Sequence, residues 1–178
     1  CRVLFLRPLA VEAAGLVVAC VVSEDGFHVH SDEGDSSVVH CSGSRAAHAE
    51  WRIVDHKLVR ASHAHAAHGA ALYDGFNAIG LQYGPEFRML GCMWRGRQSV
   101  ARLLGRTDNA GVHPAHLDGT LQLGVCRSLA SGKVQLPFAV DAAMLREFTS
   151  CELWAVTARQ STDATFASMI DRSGVGCV

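Results

Sequence analysis

Asp118 and Gln122 are the pair of residues whose types and spacing point most directly to chemistry. They stand four positions apart in a leucine-rich stretch, so on a helix both side chains would project from one face, about 5 to 6 Å apart. Burial would raise the pKa of the carboxyl and leave it protonated, as a general acid requires, while the amide fixed its orientation. The alternative is an aspartate on the solvent edge of the helix with an ordinary hydrogen bond to Gln122, and spacing alone favours that alternative.

Two other groups of residues could carry chemistry. His63, His65 and His68 form an HxHxxH pattern, and imidazole is the commonest metal ligand. That spacing does not bring three rings to one face of a helix, so we expect a solvated surface segment and no metal site; a metal binder would show stoichiometric metal on elemental analysis. Cys126 has no paired histidine, and we interpret it as packing.

The helix that would carry Asp118 is predicted over residues 114–130. Pro114 begins it at a position where the missing N–H costs nothing. An apolar stripe follows at intervals of four, formed by Leu117, Leu121, Val125 and Leu129. A second helix is predicted over residues 70–79, ended by Gly80. Strands are predicted at 87–94, 99–104, 134–138, 152–158 and 165–170.

The N-terminal part of the chain has a different character. Short β-branched runs separated by turn signals predict an antiparallel meander, with strands at 3–6, 16–22, 27–30 and 38–41. The alanine- and histidine-rich stretch that follows has no strong helical stripe, apart from one helical possibility near 51–59. We therefore predict an N-terminal part over 1–45, a linker over 46–69 and a second domain over 70–178.

Composition excludes several classes of protein. The 178 residues are 49% hydrophobic, and 16 basic against 17 acidic side chains give a net charge of −1, which excludes disorder and makes nucleic acid an unsuitable partner. No apolar run approaches the roughly 20 residues that cross a bilayer. Seven cysteines without a CxxC pattern suggest free thiols in a reducing compartment, the cytoplasm. The apolar start at Cys1 suggests a piece of a longer polypeptide.

Three motifs then resemble one known family. Residues 113–122, HPAHLDGTLQ, resemble the HPxxLDxxxQ signature of the dehydratase domains of modular type I polyketide synthases and their fatty acid synthase relatives. Residues 80–87, GLQYGPEF, look like that family's GYxYGPxF, and residues 136–138, LPF, look like the start of its LPFxW. Residues 6–9 and 38–43 are similar to the closing strands of the family's first subdomain. The motifs stand in the family's order.

The resemblance implies a fold and a site. The family fold is an α+β double hotdog, in which each half wraps an antiparallel sheet around a long central helix. This chain would hold a nearly complete second hotdog and only part of the first. The resemblance makes Asp118 the catalytic acid, Gln122 the residue that orients it and Tyr83 a neighbour of the substrate hydroxyl. It implies a substrate tunnel formed by Gly84, Pro85, Leu136, Pro137 and Phe138.

The resemblance also implies an activity. It would be dehydration of a β-hydroxyacyl group on acyl carrier protein to the α,β-enoyl thioester, which makes the chain part of a hydro-lyase. No metal or nucleotide cofactor is needed, because the substrate arrives on the phosphopantetheine arm of the carrier. The expected partners are acyl carrier protein and the other domains of the synthase, in a homodimer, with neither nucleic acid nor membrane.

The departures from the family pattern set limits on that expectation. The family's catalytic base lies in HxxxGxxxxP, and His30 and His65 match only its first five positions. We expect the base to lie upstream, so the chain alone would be inactive and its first sheet would expose an apolar face. Leu81 and Val140 also replace family residues. The alternative function is a catalytically silent hotdog that serves as a scaffold or acyl-binding module.

Overall fold

A computed structural model describes most of the chain, namely residues 2–12, 14–33, 36–44, 52–63, 65–105, 112–126, 139–141, 143, 152–160, 165–171 and 175–177. Over these residues the chain forms two antiparallel sheets and three α-helices, which makes the fold α+β as predicted. None of the helices in the described ranges is long and apolar enough to span a membrane. The chain divides into two compact units. One comprises 1–49 with 137–144, and the other comprises 50–136 with 145–178.

The first unit is built on a five-stranded sheet with the order β2-β3-β4-β1-β9. Its strands are β1 (Arg2–Phe5), β2 (Val18–Val22), β3 (Gly26–Glu33), β4 (Ser36–Ser44) and β9 (Ala139–Val140). β2, β3 and β4 pair in sequence order, which confirms the predicted meander for these three strands but not for β1. β1 then pairs with β4 on one side and with β9 on the other.

One face of this first sheet is apolar and exposed. Val18 and Val22 share a face of β2 because side chains alternate along a strand. Phe5 lies on the same face. It pairs with Cys41 of β4, Cys41 pairs with Val29 of β3, and Val29 pairs with the middle residue of β2; residues paired directly across strands point to the same face of a sheet. Val22 is 75% exposed, and Val18 and Phe5 are each more than 40% exposed. No helix occurs in the described part of this unit, so nothing described there covers the three side chains.

The second unit is built on a seven-stranded sheet with the order β5-β12-β11-β10-β8-β7-β6. Its strands are β5 (Arg52–Ile53), β6 (Ala66–His68), β7 (Leu90–Trp94), β8 (Gln98–Leu103), β10 (Trp154–Arg159), β11 (Thr165–Ile170) and β12 (Val175–Cys177). Its helices are α1 (His56–Ala61), α2 (Gly69–Ala78) and α3 (Pro114–Val125), with a 3-10 turn over Pro85–Phe87. The last turn predicted for α3, residues 127–130, and the strand predicted at 134–138 lie outside the described residues.

α3 lies across the middle of the second sheet, against β8, β10 and β11. A long helix packed on the face of an antiparallel sheet is the hotdog arrangement that the family resemblance implies. The main core lies between this helix, α2 and the sheet, and Phe76, Leu103 and Leu123 are almost fully buried there. This packing sets which face of α3 is buried against the sheet.

The opposite face of the same sheet packs against α1. The ring of His56 stacks on Trp154 with centroids 4.8 Å apart, and the Arg60 guanidinium lies 5.7 Å from the centroids of both Trp94 and Trp154. Val59 completes this smaller core. The sheet is therefore covered on two sides.

The predicted linker over 46–69 is wrong over its described part, because these residues form β5, α1 and β6 of the second unit. β6 pairs with β7, and α1 is capped by the Asp55 carboxylate, which accepts hydrogen bonds from the backbone N–H groups of Lys57 and Leu58. α1 has only six residues. A helix this short makes too few turns to display the apolar periodicity that identifies longer helices.

The predicted leucine stripe on α3 is only partly correct. The helix buries Ala115, His116, Gly119, Thr120, Gln122, Leu123 and Val125, whereas Leu117 and Leu121 stay partly exposed. At Gly119 the helix comes close to Met89, just before β7, and to Leu103 at the end of β8. A Cβ there would lie 3.0 Å from Met89 Cβ and 3.3 Å from Leu103 Cδ2. A small residue at this point lets the helix sit close to the strands, which a search for large apolar residues overlooks.

Gly119→Val should destabilise the second unit by about 1 to 3 kcal/mol, because the branched side chain has no room beside Met89. Gly124→Ala on the same helix is the matched control. A Cβ there meets only an ordinary contact, 3.9 Å from Thr165 Cγ2, so alanine should stabilise the fold by up to about 1 kcal/mol. Urea denaturation measures both. Equal effects at the two glycines would contradict this packing.

The exposed apolar face of the first sheet should bind a hydrophobic dye and promote association. We expect Val18→Thr with Val22→Thr to lower dye fluorescence and concentration-dependent light scattering, while the β-branched shape is kept. Leu58→Gln is the control, because Leu58 is an exposed apolar residue on α1 in the other unit. A larger decrease with the control than with the double variant would show that the dye binds elsewhere.

Candidate active site

The Asp118 and Gln122 side chains form a hydrogen-bonded pair on α3. Gln122 Nε2 donates to Asp118 Oδ2 over 2.6 Å, and Gln122 is only 1% exposed. Asp118 is half-buried. Burial raises the pKa of its carboxyl above the ordinary 3.8, against the opposing effect of the hydrogen bond from Gln122. The pair makes the helical hydrogen bond of the alternative interpretation and Asp118 stays partly exposed, but the amide of Gln122 lies in the core and not at the solvent edge.

Tyr73 on α2 holds the other end of the glutamine. Its hydroxyl donates to Gln122 Oε1 over 2.8 Å and accepts a hydrogen bond from the Leu90 backbone N–H over 2.9 Å. Gln122 Nε2 also donates to the Phe87 carbonyl over 3.0 Å. The amide is therefore bonded on every side to α2, to the 3-10 turn, or to Asp118.

No sequence pattern pointed to Tyr73. It lies 49 positions from Gln122, among apolar residues of a helical face that looks like ordinary core. Only the need of buried polar groups for hydrogen-bond partners could have indicated Tyr73 from the sequence. A tyrosine on a buried face needs a partner for its hydroxyl, and the buried face of the other long helix contains a glutamine with the same need.

Tyr83 lies beside this network. Its ring meets Tyr73 and Phe76 edge to face, at centroid distances of 6.0 and 5.3 Å. Burial raises the pKa of Tyr83 to about 12, with the nearby Asp118 charge adding to the effect, so the phenol stays protonated. Arg88 Nε donates to the Tyr83 carbonyl over 2.8 Å, and its guanidinium lies over the Tyr73 ring.

The turn after Tyr83 has the local structure that its residues predict. Gly84 is extended, with φ −65° and ψ 160°, and Pro85 begins the 3-10 turn that ends at Phe87. Proline suits this first position because it has no N–H to leave unbonded. The turn places the Phe87 carbonyl within hydrogen-bonding distance of Gln122. The segment that contains Tyr83 therefore also holds the glutamine that is bonded to Asp118.

The two histidines at the start of α3 have structural roles. The side chain of His113 caps the helix, with Nδ1 accepting from the Ala115 N–H over 3.0 Å. His116 is buried, and its Nε2 lies 3.0 Å from the Leu104 carbonyl, to which it donates. These bonds anchor the N-terminus of the helix that carries Asp118.

The histidine and cysteine candidates make structural contacts. Among the described residues, no three histidine, cysteine or acidic side chains are grouped to hold a metal ion. His63 Nδ1 instead bonds to the Val59 carbonyl over 2.6 Å, and His68 caps α2. Cys126 is fully buried, and burial raises the pKa of its thiol to about 12, which agrees with a packing role. Leu136, Pro137 and Phe138 lie outside the described residues.

A family model described as "Polyketide synthase dehydratase N-terminal domain" matches residues 53–171. The chain belongs to the polyketide synthase dehydratase family. The matched residues include both the tyrosine turn and the aspartate helix. This family membership confirms what the motifs indicated.

Curated relatives are whole synthases, of which the chain matches a small part. It is 30% identical over 138 residues to polyketide synthase GfsE of Streptomyces halstedii, and the match covers 71% of the chain but 3% of the synthase. It is 29% identical over 171 residues to the highly reducing polyketide synthase anuA of Penicillium roqueforti, covering 83% of the chain and 8% of that protein. The relatives are thus multidomain polyketide synthases.

Solved dehydratase domains share the fold. The dehydratase domain from the terminal module of the rifamycin polyketide synthase superposes with a TM-score of 0.76 at 23% identity, over 99% of this chain and 70% of that one. A trans-AT dehydratase domain from Brevibacillus brevis gives a TM-score of 0.76 at 22% identity, over 99% and 71%. At these identities the likeness establishes the double hotdog fold alone.

Replacing Asp118 with asparagine should make the fold relatively more stable as pH rises. The folded-state pKa of Asp118 is raised above 3.8, so the native state favours the protonated form, and ionisation at higher pH costs stability. Asparagine keeps an acceptor for Gln122 and never ionises. In urea denaturation from acidic to neutral pH, the free energy of unfolding of Asp118→Asn should increase relative to that of the wild type as pH increases.

Asp74→Asn is the control for that measurement, since Asp74 is an exposed carboxylate on α2. Its stability difference from the wild type should change little over the same range. A difference for Asp118→Asn that falls with rising pH would mean that the folded state stabilises the carboxylate.

Proposed function

We propose that this chain contributes the acid half of a dehydratase that converts a β-hydroxyacyl thioester on acyl carrier protein to the α,β-enoyl thioester. The observation that carries the proposal is a half-buried carboxylic acid with a raised pKa, held by a buried amide in a dehydratase family member. Asp118 protonates the departing β-hydroxyl, and Gln122 orients it. The products are the enoyl thioester and water.

The chemistry of elimination requires two groups with opposite tasks. A base removes the α-proton, and an acid protonates the β-oxygen as its bond to carbon breaks. Burial suits Asp118 to the second task, because it favours the protonated form over the carboxylate. The base motif of the family, HxxxGxxxxP, does not occur in these residues, and we propose that another part of the synthase supplies the base.

The surroundings of Asp118 support a place for the substrate hydroxyl. The Tyr83 phenol stays protonated and lies close enough to Asp118 to respond to its charge. It can donate a hydrogen bond to the β-hydroxyl and hold it near the acid. We propose that Gly84, Pro85, Leu136, Pro137 and Phe138 border the acyl chain, and that the reaction uses no metal or nucleotide.

The expected partners follow from the same proposal. The substrate would arrive on the phosphopantetheine arm of an acyl carrier protein, within a synthase that we expect to be a homodimer. The curated relatives are multidomain synthases, which supports partnership with neighbouring domains. Cys20, Cys41, Cys92 and Cys126 are free thiols, which suits the reducing cytoplasmic setting that we propose.

In a synthase polypeptide that contains this chain and its upstream region, Asp118→Asn should lower dehydration by about 10²- to 10⁴-fold, because asparagine cannot supply a proton. Gln122→Ala should cost less, since the acid remains but loses its orientation. Product formation from a β-hydroxyacyl carrier protein measures both, with Asp74→Asn as the surface control.

Retained activity in Asp118→Asn would remove this residue from the reaction. A wild-type polypeptide that binds the acyl carrier protein without forming the alkene would instead support the alternative, a catalytically silent scaffold or acyl-binding module.

A further inference from the structure

We propose that Tyr73 is a positioning residue that acts through Gln122 to place the transferable proton of Asp118 on Oδ1. The inference rests on the proposed function in one respect only, namely that Asp118 is the acid. Tyr73 would touch neither substrate nor reacting atoms. Its effect is carried by the two hydrogen bonds that link its hydroxyl to Gln122 and Gln122 to Asp118.

The Tyr73 hydroxyl has a fixed direction. It accepts the Leu90 N–H over 2.9 Å, so its own proton is free to point at Gln122 Oε1, 2.8 Å away. Burial raises the pKa of Tyr73, and the hydroxyl therefore keeps that proton. A donor on one side and the Phe87 carbonyl acceptor on the other allow only one orientation of the amide. The reversed amide would set Oε1 against the Phe87 carbonyl oxygen, at the cost of buried polar groups without partners.

That orientation decides where the acid proton sits. Gln122 Nε2 donates to Asp118 Oδ2, so a proton on Oδ2 directed at the amide would meet another N–H. The neutral acid therefore carries its proton on Oδ1. With the amide reversed, Oε1 would accept the carboxylic proton and hold it between the two side chains, away from any substrate. The donor at Tyr73 thus keeps the proton available.

The other ionisable groups around the network do not compete for this role. Tyr83 and Cys126, which lie near it, both have pKa values raised by burial to about 12 and are uncharged. The Arg88 guanidinium lies over the face of the Tyr73 ring, 5.7 Å from its centroid, and its Nε is bonded to a backbone carbonyl. On the first turn of α3, His113 and His116 have ring nitrogens bonded to the backbone.

The experiment is a ¹³C NMR titration of Asp118 in the full chain labelled with carboxyl-¹³C aspartate. Tyr73→Phe keeps the ring and removes the hydroxyl. We expect its Asp118 midpoint to rise by about one pH unit, because the amide no longer donates reliably to the carboxylate. Gln122→Ala should raise the midpoint in the same direction. Phe76→Leu, which loosens the same core without removing a hydrogen bond, should leave it unchanged.

An unchanged midpoint in Tyr73→Phe would overturn the proposal, and so would an equal rise in Phe76→Leu. If Tyr73→Phe does not fold, a measurement on the wild-type chain still tests the proposal. The chain has only two tyrosines, so 3-fluorotyrosine labelling gives two ¹⁹F signals, assigned with Tyr83→Phe. The Tyr73 signal should follow the Asp118 titration in the wild type and lose that response in Gln122→Ala. Absence of the response in the wild type would overturn the proposal.

These readouts do not depend on turnover. Loss of the coupling with dehydration intact would refute only the role of Tyr73. Intact coupling in a polypeptide whose activity survives Asp118→Asn would refute only the proposed function.

Discussion

The side-chain amide of Gln122 has to satisfy its hydrogen-bonding groups inside a core that water does not reach. That single constraint relates elements that are distant in the sequence. It requires the hydroxyl of Tyr73 from α2, the Phe87 carbonyl from the 3-10 turn and the carboxyl of Asp118 from its own helix. Removing any one of the three leaves a buried polar atom without a partner, which costs about 1 to 3 kcal/mol.

The same constraint explains why stability and the proposed chemistry oppose each other at Asp118. Burial beside the core disfavours the carboxylate, while the hydrogen bond from Gln122 favours it, and burial is the larger effect. An isolated protein would be more stable with a neutral amide at this position. An acid that must give up a proton and recover it needs a carboxyl, and the fold tolerates the cost because Asp118 is only half-buried. At Gly119, the next residue, the helix backbone lies close to Met89 and Leu103.

The sequence was most informative where local pattern and chemistry agreed. Pro114 marked the start of α3, the spacing of Asp118 and Gln122 marked their shared face, and the meander was visible from its turns. It was least informative about α1, which is too short to show periodicity. Tyr73 was missed because its importance comes from a tertiary contact with Gln122 and not from any nearby residue. The leucine stripe on α3 overstated the role of large apolar residues, since Gly119, Thr120 and Gln122 share the buried face with Leu123.

The central claim is that Asp118 supplies a proton to the leaving group, and a change of leaving group tests it most directly. In a polypeptide with the upstream region, wild type and Asp118→Asn would be given a β-hydroxyacyl thioester and the matching β-fluoroacyl thioester, whose leaving group departs as an anion and depends far less on an acid. We predict that Asp118→Asn loses about 10²- to 10⁴-fold in elimination of water but keeps most of its rate for elimination of fluoride. Equal losses with both substrates would contradict the account, because they would show that Asp118 serves the α-proton step or the fold instead of the departing hydroxyl.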